Sequence, residues 1–152
     1  MGTGLTLLLY KTARTDAALL DEKFTPFGWQ NEFKEIGGKM YCGIGVNSDD
    51  EWVWKWDCGT ESNMEAEKGQ ASDAFKRAGF KWGIGAELYT APRIFIPREK
   101  CNIRESQGKY RCHDSFSVEK IAYDDKENIS GLAIKNDTTG VRCFVWQRSE
   151  QK

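Results

Sequence analysis

The chain has one histidine, His113, three prolines and a net charge of only −1 over 152 residues. With a single histidine, no Ser/His/Asp or Cys/His arrangement can be built with any specificity. The scarcity of proline and the absence of a Ser/Pro-rich run argue against a long disordered linker. Leu5 to Tyr10, broken only by Thr6, is the longest apolar run. It is far shorter than the roughly 20 residues of a membrane helix. No basic n-region accompanies it, so neither a membrane span nor a signal peptide is expected. Cys42, Cys58, Cys101, Cys112 and Cys143 are odd in number and never form Cys-x-x-Cys. Reduced, structural or surface thiols in a cytoplasm are the expectation. Cys101 with Cys112-His113 fits no zinc spacing, and a fourth ligand is not evident. No Walker A sequence occurs, and Gly83-Ile84-Gly85 lacks the third glycine of a dinucleotide fingerprint. Without a nucleophile, base or metal cage, the chain is expected to be no enzyme, with no catalytic residue, metal or cofactor.

What is present is a segregated charge pattern. Residues 49–67 carry Asp49, Asp50, Glu51, Asp57, Glu61, Glu65 and Glu67 against Lys55. Residues 93–111 carry Arg93, Arg98, Lys100, Arg104, Lys109 and Arg111 against Glu99 and Glu105. A near-neutral total can therefore hide one acidic and one basic face, which also suits head-to-tail self-association.

Local patterns predict an α+β chain. Leu5–Tyr10 reads as a short buried strand or helix start. Thr15-Asp16 followed by Ala17, Ala18, Leu19, Leu20 and Phe24 reads as a capped helix ended by Pro26 and Gly28. Trp29–Glu35 and Lys39–Asn47 flank Gly37-Gly38 as a hairpin, with Trp29, Asn31, Phe33 and Glu35 on one side. Glu51–Cys58 is a third strand, and its period of two puts Trp52, Trp54 and Trp56 on one face. The favoured reading of that face is a core packed on the following helix; the other is a stacking platform for bases. Ile94–Ile96 is a short strand ended by Pro97, and Asn102–Gly108 reads as an exposed polar loop. Phe116–Tyr123, Ile129–Asn136 and Val141–Gln147 read as strands between Asp/Asn/Gly turns.

Residues 65–89 stand out. They read as a helix to about Trp82 whose buried face is Ala71, Ala74, Phe75, Ala78 and Trp82. Lys76, Arg77 and Lys81 lie off that face, and Gly83 or Gly85 supplies the left-handed stop. Such cations can contact phosphates without regard to sequence. They can equally be a solubilising edge with pairs such as Asp73–Arg77.

The run Glu67-Lys68-Gly69-Gln70-Ala71-Ser72-Asp73-Ala74-Phe75-Lys76-Arg77-Ala78, then Trp82-Gly83-Ile84-Gly85 and Leu88-Tyr89, resembles the core of the Rad52/Rad22 family. The likeness is greatest to its phage and prophage single-strand annealing proteins. Leu20-Asp21-Glu22-Lys23-Phe24 with Gly28-Trp29 resembles the family's entry helix and first strand. The resemblance covers about residues 8–96 and is weaker over 97–152. It implies one DNA-annealing domain over 1–152: an antiparallel β-meander packed on a long central helix, with additional C-terminal strands. It further implies a homo-oligomeric ring or arc that holds single-stranded DNA by its backbone, with no nucleotide hydrolysed. Lys76 and Arg77 match the family's Lys-Arg at the groove floor, and Lys68 an earlier basic position. A family arginine falls beside Arg14, direct alignment landing on Thr15. Phe80 is aromatic where relatives carry a further cation, and Lys81 is the neighbouring basic residue. The family's outer DNA site does not transfer, because the connection before the helix is much shorter.

The expectation is therefore ATP-independent binding and annealing of single-stranded DNA in recombination. The expected setting is the cytoplasm of a bacterial host, with the gene carried by a phage or prophage. The expected partners are single-stranded DNA, further copies of the chain, and a single-strand binding protein or exonuclease of host or phage, with no membrane. The alternative is a self-assembling structural or interaction module that binds no nucleic acid. A nuclease would need carboxylates clustered near the basic edge.

Overall fold

The computed structural model describes residues 4–60 and 66–149, with the backbone alone for 66–68. It is α+β, with antiparallel sheets and two α-helices among the described residues. The chain divides into two compact units, Tyr10–Ala86 and a second that joins the first nine residues to Glu87 onward. The expectation was one domain over 1–152 with a core at about 8–96. The first strand, β1 (Gly4–Leu7), groups with the second unit because it pairs antiparallel with a strand at Ile94–Pro97.

In the unit Tyr10–Ala86, helix α1 (Ala13–Phe24) starts two residues before the Thr15-Asp16 signal. Its cap is Thr12, whose hydroxyl accepts from the Thr15 amide at 3.2 Å. Such a cap satisfies one of the amides that a helix start leaves open. Strands β2 (Trp29–Ile36) and β3 (Lys39–Ser48) form the expected hairpin, turning at Gly37-Gly38. Strand β4 (Glu51–Cys58) follows, and the sheet order is β2-β3-β4. Helix α2 (Ala66–Phe80) is fifteen residues long and packs on β3 and β4. It ends two residues before the predicted Trp82. Gly83 and Gly85 both take the left-handed conformation, at φ +86° and +81°.

The register decides which side of this sheet is core. Cys42 and Ile44 of β3 are fully buried with Leu20 of α1 and with Ala74, Phe75 and Ala78 of α2. Trp29, Trp82 and Ile84 pack around them. Residues directly opposite in a ladder share a face. Trp56 lies opposite Gly43, Trp54 opposite Gly45 and Trp52 opposite Asn47. All three indoles therefore point away from α2. This overturns the expectation of a tryptophan core against the helix. The β4 side chains that face α2 are Val53, Lys55 and Asp57, opposite Val46, Ile44 and Cys42.

The second unit pairs β1 with β5 (Ile94–Pro97). Then comes a hairpin, β6 (Ile103–Ser106) and β7 (Lys109–Cys112), where a polar loop was expected. Strands β8 (Phe116–Tyr123), β9 (Ile129–Asn136) and β10 (Val141–Gln147) form a three-stranded sheet in the order β10-β9-β8, at the predicted bounds. Its core joins Ile94, Ile96, Ile129, Leu132, Ile134 and Cys143.

Candidate nucleic-acid interface

The C-terminal end of α2 carries cations for a local reason: helix carbonyls there lack amide partners and attract positive charge. Lys55, on the helix-facing side of β4, donates to the Lys81 carbonyl at 2.9 Å. Its ammonium also lies 4.1 Å from the Trp82 ring centroid. Trp82 in turn donates its indole N–H to the Ile44 carbonyl at 3.1 Å. The exit of α2 is thus tied to both β3 and β4.

Arg77 and Lys81 meet at the free edge of β4. Arg77 Nε lies 3.5 Å from Asp57 Oδ1, and Lys81 Nζ lies 3.6 Å from Asp57 Oδ2. Lys81 Nζ also donates to the Trp56 carbonyl. Both cations stay nearly half exposed. The pair Asp73–Arg77, one reading of the sequence, does not form. Asp73 instead accepts from the Thr60 amide and hydroxyl at 2.9 and 3.0 Å.

Lys76 is half-buried on the neighbouring side of α2, where its carbonyl accepts from Lys11 Nζ at 3.3 Å. Lys11 makes an ion pair with Asp16, which is fully buried in α1. Arg14 is exposed on α1. Lys68 falls on the first turn of α2, where its side chain is outside the described residues. Of the five predicted residues, Arg77 and Lys81 are brought together around one carboxylate. Lys55 was missed. Its odd phase puts it on the face opposite the three tryptophans, and only the register against β3 makes that the helix side.

The opposite sheet face presents the indoles. A Cβ at Gly43 would come within 2.5 Å of the Trp56 ring, and one at Gly45 within 2.8 Å of the Trp54 ring. The glycines therefore let the two indoles lie against the β3 backbone. Trp54 and Trp56 stack with centroids 5.8 Å apart, and Lys34 Nζ lies 4.5 Å from the Trp56 centroid. Trp52 is 40% exposed.

Other chemistry is sparse. Burial pushes the Cys42 thiol up to about 11, and burial raises Cys101 and Cys143 as well, so these groups stay protonated at neutral pH. Among the described residues, no cluster of His, Cys, Asp or Glu could hold a metal ion, and no helix is long and apolar enough to cross a membrane. A concavity of about 1070 Å³ on β8–β10 includes Arg142 and Arg148. Both are already paired, with Glu119 and Asp124.

No family model matches the sequence, and comparisons with curated proteins and with solved structures returned no match.

Proposed function

We propose that the chain is an ATP-independent single-strand annealing protein with a Rad52-like β-β-β-α core, acting as a homo-oligomeric ring or arc. The observation that carries this reading is the convergence of Arg77 and Lys81 at the free edge of β4, beside Lys76 and Lys55 on the same helix–strand pair. Lys55, Lys76, Arg77 and Lys81 cluster where only Asp57 is ion-paired with a cation of this group. Phosphate oxygens of single-stranded DNA fit that edge, and the family resemblance adds Lys68 and Arg14 as further candidate cations. Binding alone is the activity: no hydrolysis, metal or cofactor is invoked. The resemblance of residues 65–89 to the annealing family supports the same reading.

The test is binding of a labelled oligonucleotide and annealing of complementary strands, without ATP, across a salt series. Lys76→Ala/Arg77→Ala should weaken binding and lower the salt slope by about 0.7 for each phosphate that is no longer neutralised. If that variant bound and annealed like the parent, the proposed edge would be wrong.

A second reading, a self-assembling module that binds no nucleic acid, is favoured by the open indole face. Three partly exposed tryptophans on one sheet face make an unusual outer surface for a monomer. An oligomer in light scattering, with no DNA shift at low salt, would favour it over annealing.

A further inference from the structure

The β6–β7 hairpin carries a charge arrangement that works against its own stability. Arg104 lies directly opposite Arg111, and Ser106 opposite Lys109, in an unbroken antiparallel register. Cross-strand partners share a face, so Arg104, Arg111 and Lys109 all sit on one side of the ribbon. Ile103, Glu105, Tyr110 and Cys112 are on the other. Like charges directly opposite each other in a ladder are destabilising. Two strands of four residues have little stability to spare.

No ion pair among the described residues offsets that repulsion. Among the described residues, none of the three cations makes an ion pair; Arg104 donates only to the Asn102 side-chain carbonyl, at 3.2 Å. All three are exposed. By contrast, Arg142 and Arg148 of the same unit each have a carboxylate. The ribbon tip is a tight two-residue turn, Gln107 at φ +53° and Gly108 at φ +73°. Positive φ at both positions suits the twist of a two-stranded ribbon. The register therefore puts the three cations on one face of the ribbon.

We propose that this face of the β6–β7 ribbon binds the sugar–phosphate backbone of single-stranded nucleic acid, as a site separate from the α2 edge. A polyanion removes the Arg104–Arg111 repulsion that the folded unit leaves standing. Guanidinium forks match phosphate oxygens in pairs. Rows two residues apart along the strands lie about 6.6 Å from each other, so the ribbon spreads its positive charge over two rows rather than one point. An acidic protein segment, such as the Asp49-Asp50-Glu51 stretch of a second copy, is the competing occupant. Two adjacent guanidiniums and a lysine on one face, none with a carboxylate among the described residues, favour the repeating charge of a nucleic-acid backbone. The nucleic-acid class rests on the function proposed above, but the ribbon does not depend on the α2 edge.

The experiment titrates the full chain with a labelled oligothymidylate at several salt concentrations. It compares the parent, Arg104→Ala/Lys109→Ala/Arg111→Ala, the charge-keeping Arg104→Lys/Arg111→Lys, and Lys76→Ala/Arg77→Ala. The triple alanine variant should bind at least about tenfold more weakly at low salt, with a salt slope smaller by about 2. The lysine variant should keep most of the binding and the slope, which a folding defect would not allow. Equal affinity and slope in parent and triple variant overturn the ribbon site. So does loss of self-association with DNA binding intact, which assigns the ribbon to a second copy. A parent that binds no DNA overturns both readings. Loss in the ribbon variant with none in Lys76→Ala/Arg77→Ala sustains the ribbon and removes only the α2 edge.

Discussion

Asp57 Oδ1 lies 3.5 Å from Arg77 Nε, so a cation proposed to meet a phosphate already has an anion beside it. The same carboxylate is 3.6 Å from Lys81 Nζ through its other oxygen. Asp57 organises the pair, and it also competes with any ligand for it. Exposed ion pairs are worth between nothing and about 1 kcal/mol, so displacing this one is not a high barrier. Asp57→Asn should therefore tighten binding of single-stranded DNA at low salt, by about two- to fivefold. Fluorescence anisotropy reads this directly. Weaker binding would mean that Asp57 positions the cations more than it masks them.

The buried end of the same helix pair makes a different prediction. Asp16 is fully buried, and its carboxylate pairs with Lys11, whose ammonium also reaches the Lys76 carbonyl. The neighbouring Gly79 leaves room for it: a Cβ there would be 3.1 Å from Asp16 Oδ2. Removing one partner of a buried pair leaves the other charge uncompensated, at a cost of about 3–5 kcal/mol. Asp16→Ala should lower the urea midpoint accordingly, and Lys11→Met/Asp16→Leu should recover much of it. A double variant no more stable than Asp16→Ala would refute the pairing argument.

Gly43 and Trp56 test the indole face. A methyl group on Gly43 would meet the indole at 2.5 Å, so the ring must leave its seat on β3. Gly43→Ala should cost about 1–3 kcal/mol, the usual range for overpacking. Tryptophan emission should shift as the ring moves. Unchanged stability and emission together would show that Trp56 does not rest there.

Much of this was legible in the sequence, and the gaps have physical causes. The strands β8, β9 and β10 lie between Asp-, Asn- and Gly-rich turns, and local turn chemistry marks such bounds well. The stop of α2 was legible because Gly83 needs a positive φ. The hairpin β6–β7 was missed because its strands carry charge instead of apolar alternation, leaving Gln107-Gly108 as its only sign. For Trp52, Trp54 and Trp56, period two shows that they share a face but not which face. That choice depends on register against β3, where Gly43 and Gly45 sit in phase with the indoles. The pairing of β1 with β5 joins residues some ninety positions apart, and no local pattern encodes it. At the candidate site, the helix cations were readable from spacing alone. Asp57 and Lys55 were not, because they come from another element.

Asp124 gives the pH dependence. It accepts from the backbone amides of Lys126 and Asn128, each at 2.9 Å, from the Asn128 side chain, and from Arg148 at 3.1 Å. The Asn128 backbone bond is the largest of the effects that hold its carboxyl below the usual aspartate value. A lowered folded pKa means that the unfolded chain binds the proton more readily. The stabilisation is therefore complete above the unfolded value, about 3.9, and is lost as pH falls through the folded value beneath it. Glu119 adds to the same trend, held low chiefly by its hydrogen bond from Arg142. Thermal melts of the parent and Asp124→Asn should differ at pH 7 and converge as the pH drops below about 4. A gap that persists unchanged at a pH of about 2.5, well below the ordinary aspartate value, would show that the turn is stabilised by shape rather than by the charge on Asp124.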